Sequence, residues 1–229
     1  MDILHAIILG VIQGLTEFLP VSSSGHLVIA QYLLDINSPG NTLEILFHFG
    51  TLLSVVFVFF NEIKLILSSL HERSTQILIG YLILATIPAV LVGVGLKDYI
   101  LGIFDSVKYV SLALFFTGSV LILSSKFKHS QKEHSLFSSL LIGLAQALAI
   151  IPGISRSGLT ISMSIFLGIA PKEAAKFSFL LSIPIILGAS LFGVFELEDD
   201  GMMIDSLTVF VAIITSFIVG VIALKLLLK

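Results

Sequence analysis

Five stretches of this chain, residues 43–61, 76–96, 108–125, 176–195 and 206–227, are apolar almost throughout. Each is near the ~20 residues that a helix needs to cross ~30 Å of hydrocarbon. A segment in lipid must satisfy its own backbone groups, so these stretches dictate an all-α bundle of about five full transmembrane helices. Composition agrees: of 229 residues, 56% are hydrophobic and 12% charged, too few charges to clothe a water-exposed surface. The whole chain, 1–229, is therefore expected to be one membrane domain with the bilayer as its solvent. A net charge of -3 without a basic aromatic stretch gives no reason to expect nucleic acid as a partner. With no cysteine, the chain has no disulfide, thiolate nucleophile or cysteine-ligated metal.

Two further regions are apolar but broken. Arms 3–19 and 24–34 flank Leu19-Pro20-Val21-Ser22-Ser23-Ser24-Gly25, and arms 136–150 and 157–169 flank Pro152-Gly153-Ile154-Ser155-Arg156-Ser157-Gly158. Most arms are too short to span, and a break rich in Pro, Gly and Ser ends one helix and starts another. Irregular backbone at that depth must be buried in protein or line a polar cavity, so both regions read as re-entrant helix–loop–helix hairpins, 3–34 and 136–169.

The hairpins match each other at a constant offset of 133 residues: Gly10 with Gly143, Gln13 with Gln146, Ser22 with Ser155, Ser24 with Ser157, Gly25 with Gly158. This predicts a duplication, with residues 1–125 as the first repeat and 126–229 as the second. Three crossings, an odd number, separate the hairpins. They must then enter from opposite faces, as inverted repeats whose tips meet near mid-bilayer. In this topology one face carries Lys64, Arg73, Lys126, Lys128, Lys132, Lys172, Lys176, Lys225 and Lys229, against Lys97 and Lys108 on the other. The basic face is expected to be cytoplasmic in a multi-pass plasma-membrane protein, with the C-terminus inside and the N-terminus and hairpin mouth outside. The acidic run Glu196-Leu197-Glu198-Asp199-Asp200 falls on the outer face.

Ionisable groups inside lipid are candidates for function because leaving them unpaired is costly; here they are Glu17, His26, Glu44, His48 and Arg156. The first hairpin gathers Gln13 and Glu17 on one helix face, hydroxyls at Ser22, Ser23 and Ser24, and His26. Carboxylate, hydroxyl and imidazole are the parts of nucleophilic and acid–base sites. The second keeps Ser155, Ser157 and Thr160 but places Arg156 opposite Ser23. A guanidinium fork and two helix N-termini suit an anion, and phosphate best of all. The bland readings stand beside these: Ser22 and Ser24 as N-caps, Gln13 and Gln146 as interhelical hydrogen bonders, and Glu44 and His48, near a span end, as solvated or packing residues.

The segment Gln13-Gly14-Leu15-Thr16-Glu17-Phe18-Leu19-Pro20-Val21-Ser22-Ser23-Ser24-Gly25-His26 resembles the first signature of the bacitracin-resistance family, the undecaprenyl-pyrophosphate phosphatases. Pro152-Gly153-Ile154-Ser155-Arg156-Ser157-Gly158-Leu159-Thr160 resembles the second. The resemblance implies hydrolysis of an isoprenoid pyrophosphate lipid to its monophosphate, at an outward-facing site, with a divalent cation, Mg²⁺ or Ca²⁺. It assigns catalysis to Glu17, Ser23 and His26, metal binding to Glu17, and phosphate binding to Arg156, with Gln13, Ser22, Ser24, Ser155, Ser157 and Thr160 around it. It also allows a homodimer. Position 13 is Gln where many members have Glu, and the chain ends after a fifth crossing where longer members continue into a sixth. Inverted repeats with broken helices also describe transporters and lipid flippases, which form the rival expectation.

Overall fold

In the computed structural model, residues 2–36, 42–104, 106–127, 132–197 and 205–228 are described. Lys128, Glu198, Asp199, Asp200 and Lys229 lie outside the described residues. Eleven helices account for nearly all of the described chain: α1 (Ile3–Thr16), α2 (Ser23–Leu33), α3 (Thr42–Val58), α4 (Phe60–Ser68), α5 (Arg73–Gly95), α6 (Lys97–Phe104), α7 (Val107–Ser124), α8 (Leu136–Leu148), α9 (Arg156–Phe166), α10 (Pro171–Leu197) and α11 (Ser206–Leu227). Four of them, α5, α7, α10 and α11, are long and apolar enough to cross a membrane. The bent pair α3 and α4 makes a fifth candidate.

The sequence predicts an unbroken crossing over 43–61, but the helix turns by 68° at Phe59. Phe59 is buried against Phe179 of α10, while Asn61, Glu62 and Lys64 make the following segment amphipathic, so α4 leaves the bundle and buries none of its side chains. Helices α5 and α10 continue through Pro88 and Pro184, as neighbours in lipid allow. The short α6 lies between two expected crossings and was not anticipated.

Both broken regions form helix–loop–helix hairpins. At 1.5 Å per residue, the 14-residue α1 extends about 21 Å and the 11-residue α2 about 16 Å, short of a bilayer. Each second arm starts with the same device: Ser22 Oγ accepts from the Gly25 amide and Ser155 Oγ from the Gly158 amide. The loops touch. The Gly153 amide donates to Ser24 Oγ, a side chain on Gly158 would press on the Pro20 carbonyl, and one on Gly25 would press on Gly153. Gly153 has φ +92, and a Cβ there would overlap the Val110 carbonyl of α7, so only glycine fits. Thr117 of α7 pins the same loop, donating to the Gly153 carbonyl and accepting from the Ser155 amide.

The 133-residue offset extends beyond the hairpins. Residues 3, 23 and 73 begin α1, α2 and α5, and residues 136, 156 and 206 begin α8, α9 and α11. Packing follows the same exchange: α1 lies along α11 and α8 along α5, so each first arm packs on a long helix of the other half. An aromatic cluster of Phe18, Phe59 and Phe179 supports the first hairpin directly behind Glu17.

Candidate active site

Where the two loops meet, they wall a cavity of ≈ 220 Å³ together with the start of α3 and the later part of α10. Glu17, Ser22, Ser23 and Ser24 come from the first hairpin, and Ser155, Arg156 and Ser157 from the second. The expected confrontation of a guanidinium with a carboxylate and an alcohol is therefore present.

Glu17 is the hub. It caps the C-terminus of α1 and is 6% exposed. One carboxylate oxygen accepts from Arg156 Nη2 at 2.5 Å. The other accepts from Ser23 Oγ at 2.6 Å and from Gln13 Nε2 at 3.0 Å, and lies 3.3 Å from His48 Nε2. Arg156 is the first residue of α9, and its Nη1 is buried with no hydrogen-bond partner among the described residues. Arg156 lines the cavity and holds a donor to spare, as a guanidinium that takes up a phosphate oxygen must.

Not all the expected residues share the wall. Gln13 is fully buried behind Glu17, bonded to it and to Thr51. Thr160 sits one turn along α9, where its hydroxyl donates to the Arg156 carbonyl and pairs with Ser178 Oγ, away from the cavity. His26 is the larger displacement: it is exposed and outside the cavity lining, its Nδ1 held 2.7 Å from the Ser22 carbonyl. That bond pins the ring beside its own backbone rather than over the loop.

The imidazole in the cavity belongs to His48. Together with Glu44 it was expected to be solvated or merely packed, yet both line the wall. His48 Nδ1 lies 2.6 Å from the Glu44 carbonyl, which aims Nε2 at Glu17. One oxygen of Glu44 accepts from Gln31 at 2.7 Å, and the other is buried without a partner among the described residues. The signal was in the sequence: Glu44 and His48 are four residues apart inside an apolar segment, on one helix face.

Among the described residues there is no group of three or more acidic or imidazole side chains that could close around a metal ion. The donors present are hard carboxylate oxygens on Glu17 and Glu44, the latter with an oxygen to spare. That set fits a Mg²⁺-like ion only as a bridge completed by phosphate oxygens and water.

Comparison with known proteins shows the family. The chain is 44% identical over 203 residues to a protein of Halothermothrix orenii, covering 87% of this chain and 76% of the relative. It is 38% identical over 252 residues to one of Desulforapulum autotrophicum, covering 100% and 90%. A third, from Alkaliphilus metalliredigens, is 40% identical over 248 residues, again covering 100% and 90%. All three bear the name undecaprenyl-diphosphatase. The model of the bacitracin resistance protein BacA matches residues 6–229, nearly the whole chain, and with it the chain belongs to that family.

Proposed function

We propose that this chain is an undecaprenyl-pyrophosphate phosphatase, a membrane-embedded hydrolase that releases inorganic phosphate from the lipid pyrophosphate and returns the monophosphate carrier. The observation that carries the reading is the convergence of Arg156, Glu17 and Ser23 from two hairpins on one cavity. The basic-residue bias supports a cavity opening outside and a cytoplasmic C-terminus.

The terminal phosphate sits against Arg156, with the starts of α2 and α9 beside it. Ser23 Oγ attacks the terminal phosphorus in line with the bridging oxygen and passes its proton to Glu17, already its acceptor. The phosphorus–bridging oxygen bond breaks and the lipid monophosphate leaves. His26, outside the cavity lining and bound to the Ser22 carbonyl, carries no step in this scheme. Water then attacks the phosphoserine phosphorus, the bond to Ser23 Oγ breaks, inorganic phosphate leaves, and Glu17 returns the proton to Ser23 Oγ. His48 and Gln13 hold the Glu17 carboxylate in position. A divalent cation, Mg²⁺ or Ca²⁺, would be held by Glu17 and Glu44 with phosphate oxygens, and would offset the charge of the pyrophosphate.

The related halves also suit a carrier. Phosphate release from protein in detergent separates the two, because vectorial transport has no meaning there. Wild type is expected to release phosphate, and Glu17→Ala and Ser23→Ala to lose at least about a hundredfold. Near-normal hydrolysis by both variants would end the enzymatic assignment of these residues.

A further inference from the structure

The two halves differ in one seam. Helix α11 lies closely along α3, and its counterpart pair, α5 with α10, touches much less. Small residues close the first seam: a Cβ on Gly50 would overlap Ser216 Oγ, and one on Gly220 would come within 2.5 Å of Ser54 Oγ. At the 133-residue offset, Gly50 corresponds to Ile183, Ser54 to Leu187, Ser216 to Ile83 and Gly220 to Ile87. Four small residues in one half stand where the other half has four bulky ones. Helices approach closely through small residues, so the second seam is held apart.

The result is an apolar groove of ≈ 530 Å³ along α5, lined by Ile79, Ile83, Ile87 and Val90, with Pro184 of α10 on its other side. It adjoins the phosphate cavity. The residues after Pro184, Ile185 and Ile186, line that cavity, and a Cβ built on Gly93, one turn beyond Val90, would lie 3.6 Å from the side chain of Ile150 in the cavity wall.

We infer that this groove holds the isoprenoid chain of the substrate, so that the headgroup enters the hairpin cavity while the tail lies between α5 and α10. The inference rests on the phosphatase reading for its ligand, and on the asymmetry of the seams and the continuity of groove and cavity for its place. An apolar chain needs no polar partner in the groove, and each methylene there exchanges bilayer for protein contact. Affinity should then grow with chain length only while there is groove left to fill.

Two measurements test it. Ile87→Trp fills the groove without touching the cavity. With undecaprenyl pyrophosphate its KM should rise about tenfold. With the short farnesyl pyrophosphate, KM and kcat should stay within about twofold. Equal effects on both lipids, or none, overturn the inference. Independently of hydrolysis, a benzophenone side chain at Ile87 should form a photo-adduct with undecaprenyl pyrophosphate, and one at Phe115, exposed on α7, should not. Equal labelling at the two positions would mean bulk lipid only, and a protein–protein adduct at Ile87 a second copy in the groove; both overturn it. If wild type releases no phosphate but the Ile87 adduct forms, the phosphatase reading fails and the groove stands. Release without adduct or chain-length effect gives the converse.

Discussion

Arg156 at the start of α9 and Glu17 at the end of α1, 139 positions apart in the chain, form an ion pair across the junction of the two hairpins. The pair joins structure to chemistry: it ties the halves together, and the same guanidinium lines the cavity with Nη1 unsatisfied among the described residues. Arg156→Ala should lower kcat/KM by about two to three orders of magnitude. It should also destabilise the fold by about 3 kcal/mol, because it leaves a buried carboxylate without its cation. Arg156→Lys keeps the charge but loses the fork, and should retain more stability than activity. Phosphate release and thermal unfolding on the same detergent samples check both, and a full-activity alanine variant refutes the assignment.

Ser22 has φ 70, a left-handed conformation uncommon outside glycine, and its hydroxyl caps the Gly25 amide. Ser22→Ala loses the cap, at about 1 kcal/mol, and keeps the strain. Ser22→Gly loses the cap but relieves the backbone by a comparable ~1 kcal/mol. The glycine variant should therefore melt near wild type and the alanine variant below it. The reverse order would show that the loop is not strained at this position.

Much of this arrangement was legible in the sequence, because lipid leaves a chain few options. Apolar length and the Pro, Gly and Ser breaks placed five crossing candidates and two hairpins, and inverted repeats allowed their tips to meet. Periodicity puts Glu44 and His48 on one helix face but carries no distance between helices, so it left open which imidazole turns toward Glu17. Spacing favoured His26, nine residues away, but its ring is bound to the Ser22 carbonyl, and tertiary packing of α3 delivers His48 instead. Ser23 beside Glu17, and Thr160 behind Arg156, were equally invisible to pattern alone.

His48 should matter through Nε2. His48→Ala removes the group beside Glu17 and should reduce kcat/KM by about tenfold, mainly in kcat. His48→Gln can still donate toward Glu17 and should recover most of that loss. An alanine variant indistinguishable from wild type, or a glutamine variant no better than alanine, would remove His48 from the machinery.

His134, in the connector before α8, stacks on Phe177 with ring centroids 4.1 Å apart, and both its nitrogens are buried without a hydrogen-bond partner among the described residues. Burial pushes its imidazole below the ordinary value, with Glu173 opposing. In the unfolded chain it titrates near ~6.5. Between the two values the unfolded state binds more protons, so stability rises with pH. The contribution is complete above ~6.5 and is lost as pH falls through the folded value. His134→Phe keeps the stack and removes the proton. Its melting temperature should fall less than that of wild type between about pH 6.5 and 5. Parallel curves would mean that the ring is not the source.

The close seam makes the most local claim about packing. Beyond Ser216, a Cβ on Gly50 would lie 2.5 Å from the Ile213 carbonyl, and backbone cannot rotate away as a side chain can. Gly50→Ala must therefore push α3 from α11, at about 1–3 kcal/mol. Because α3 also carries Glu44 and His48, catalysis should weaken with it. Gly80 on α5 corresponds to Ile213 across the repeat, and nothing lies within 4 Å of a Cβ built there. Gly80→Ala should be neutral or stabilising by up to about 1 kcal/mol, through helix propensity alone. Thermal unfolding of the two variants in one detergent checks the contrast, and a harmless Gly50→Ala would show that the seam is looser than its geometry implies.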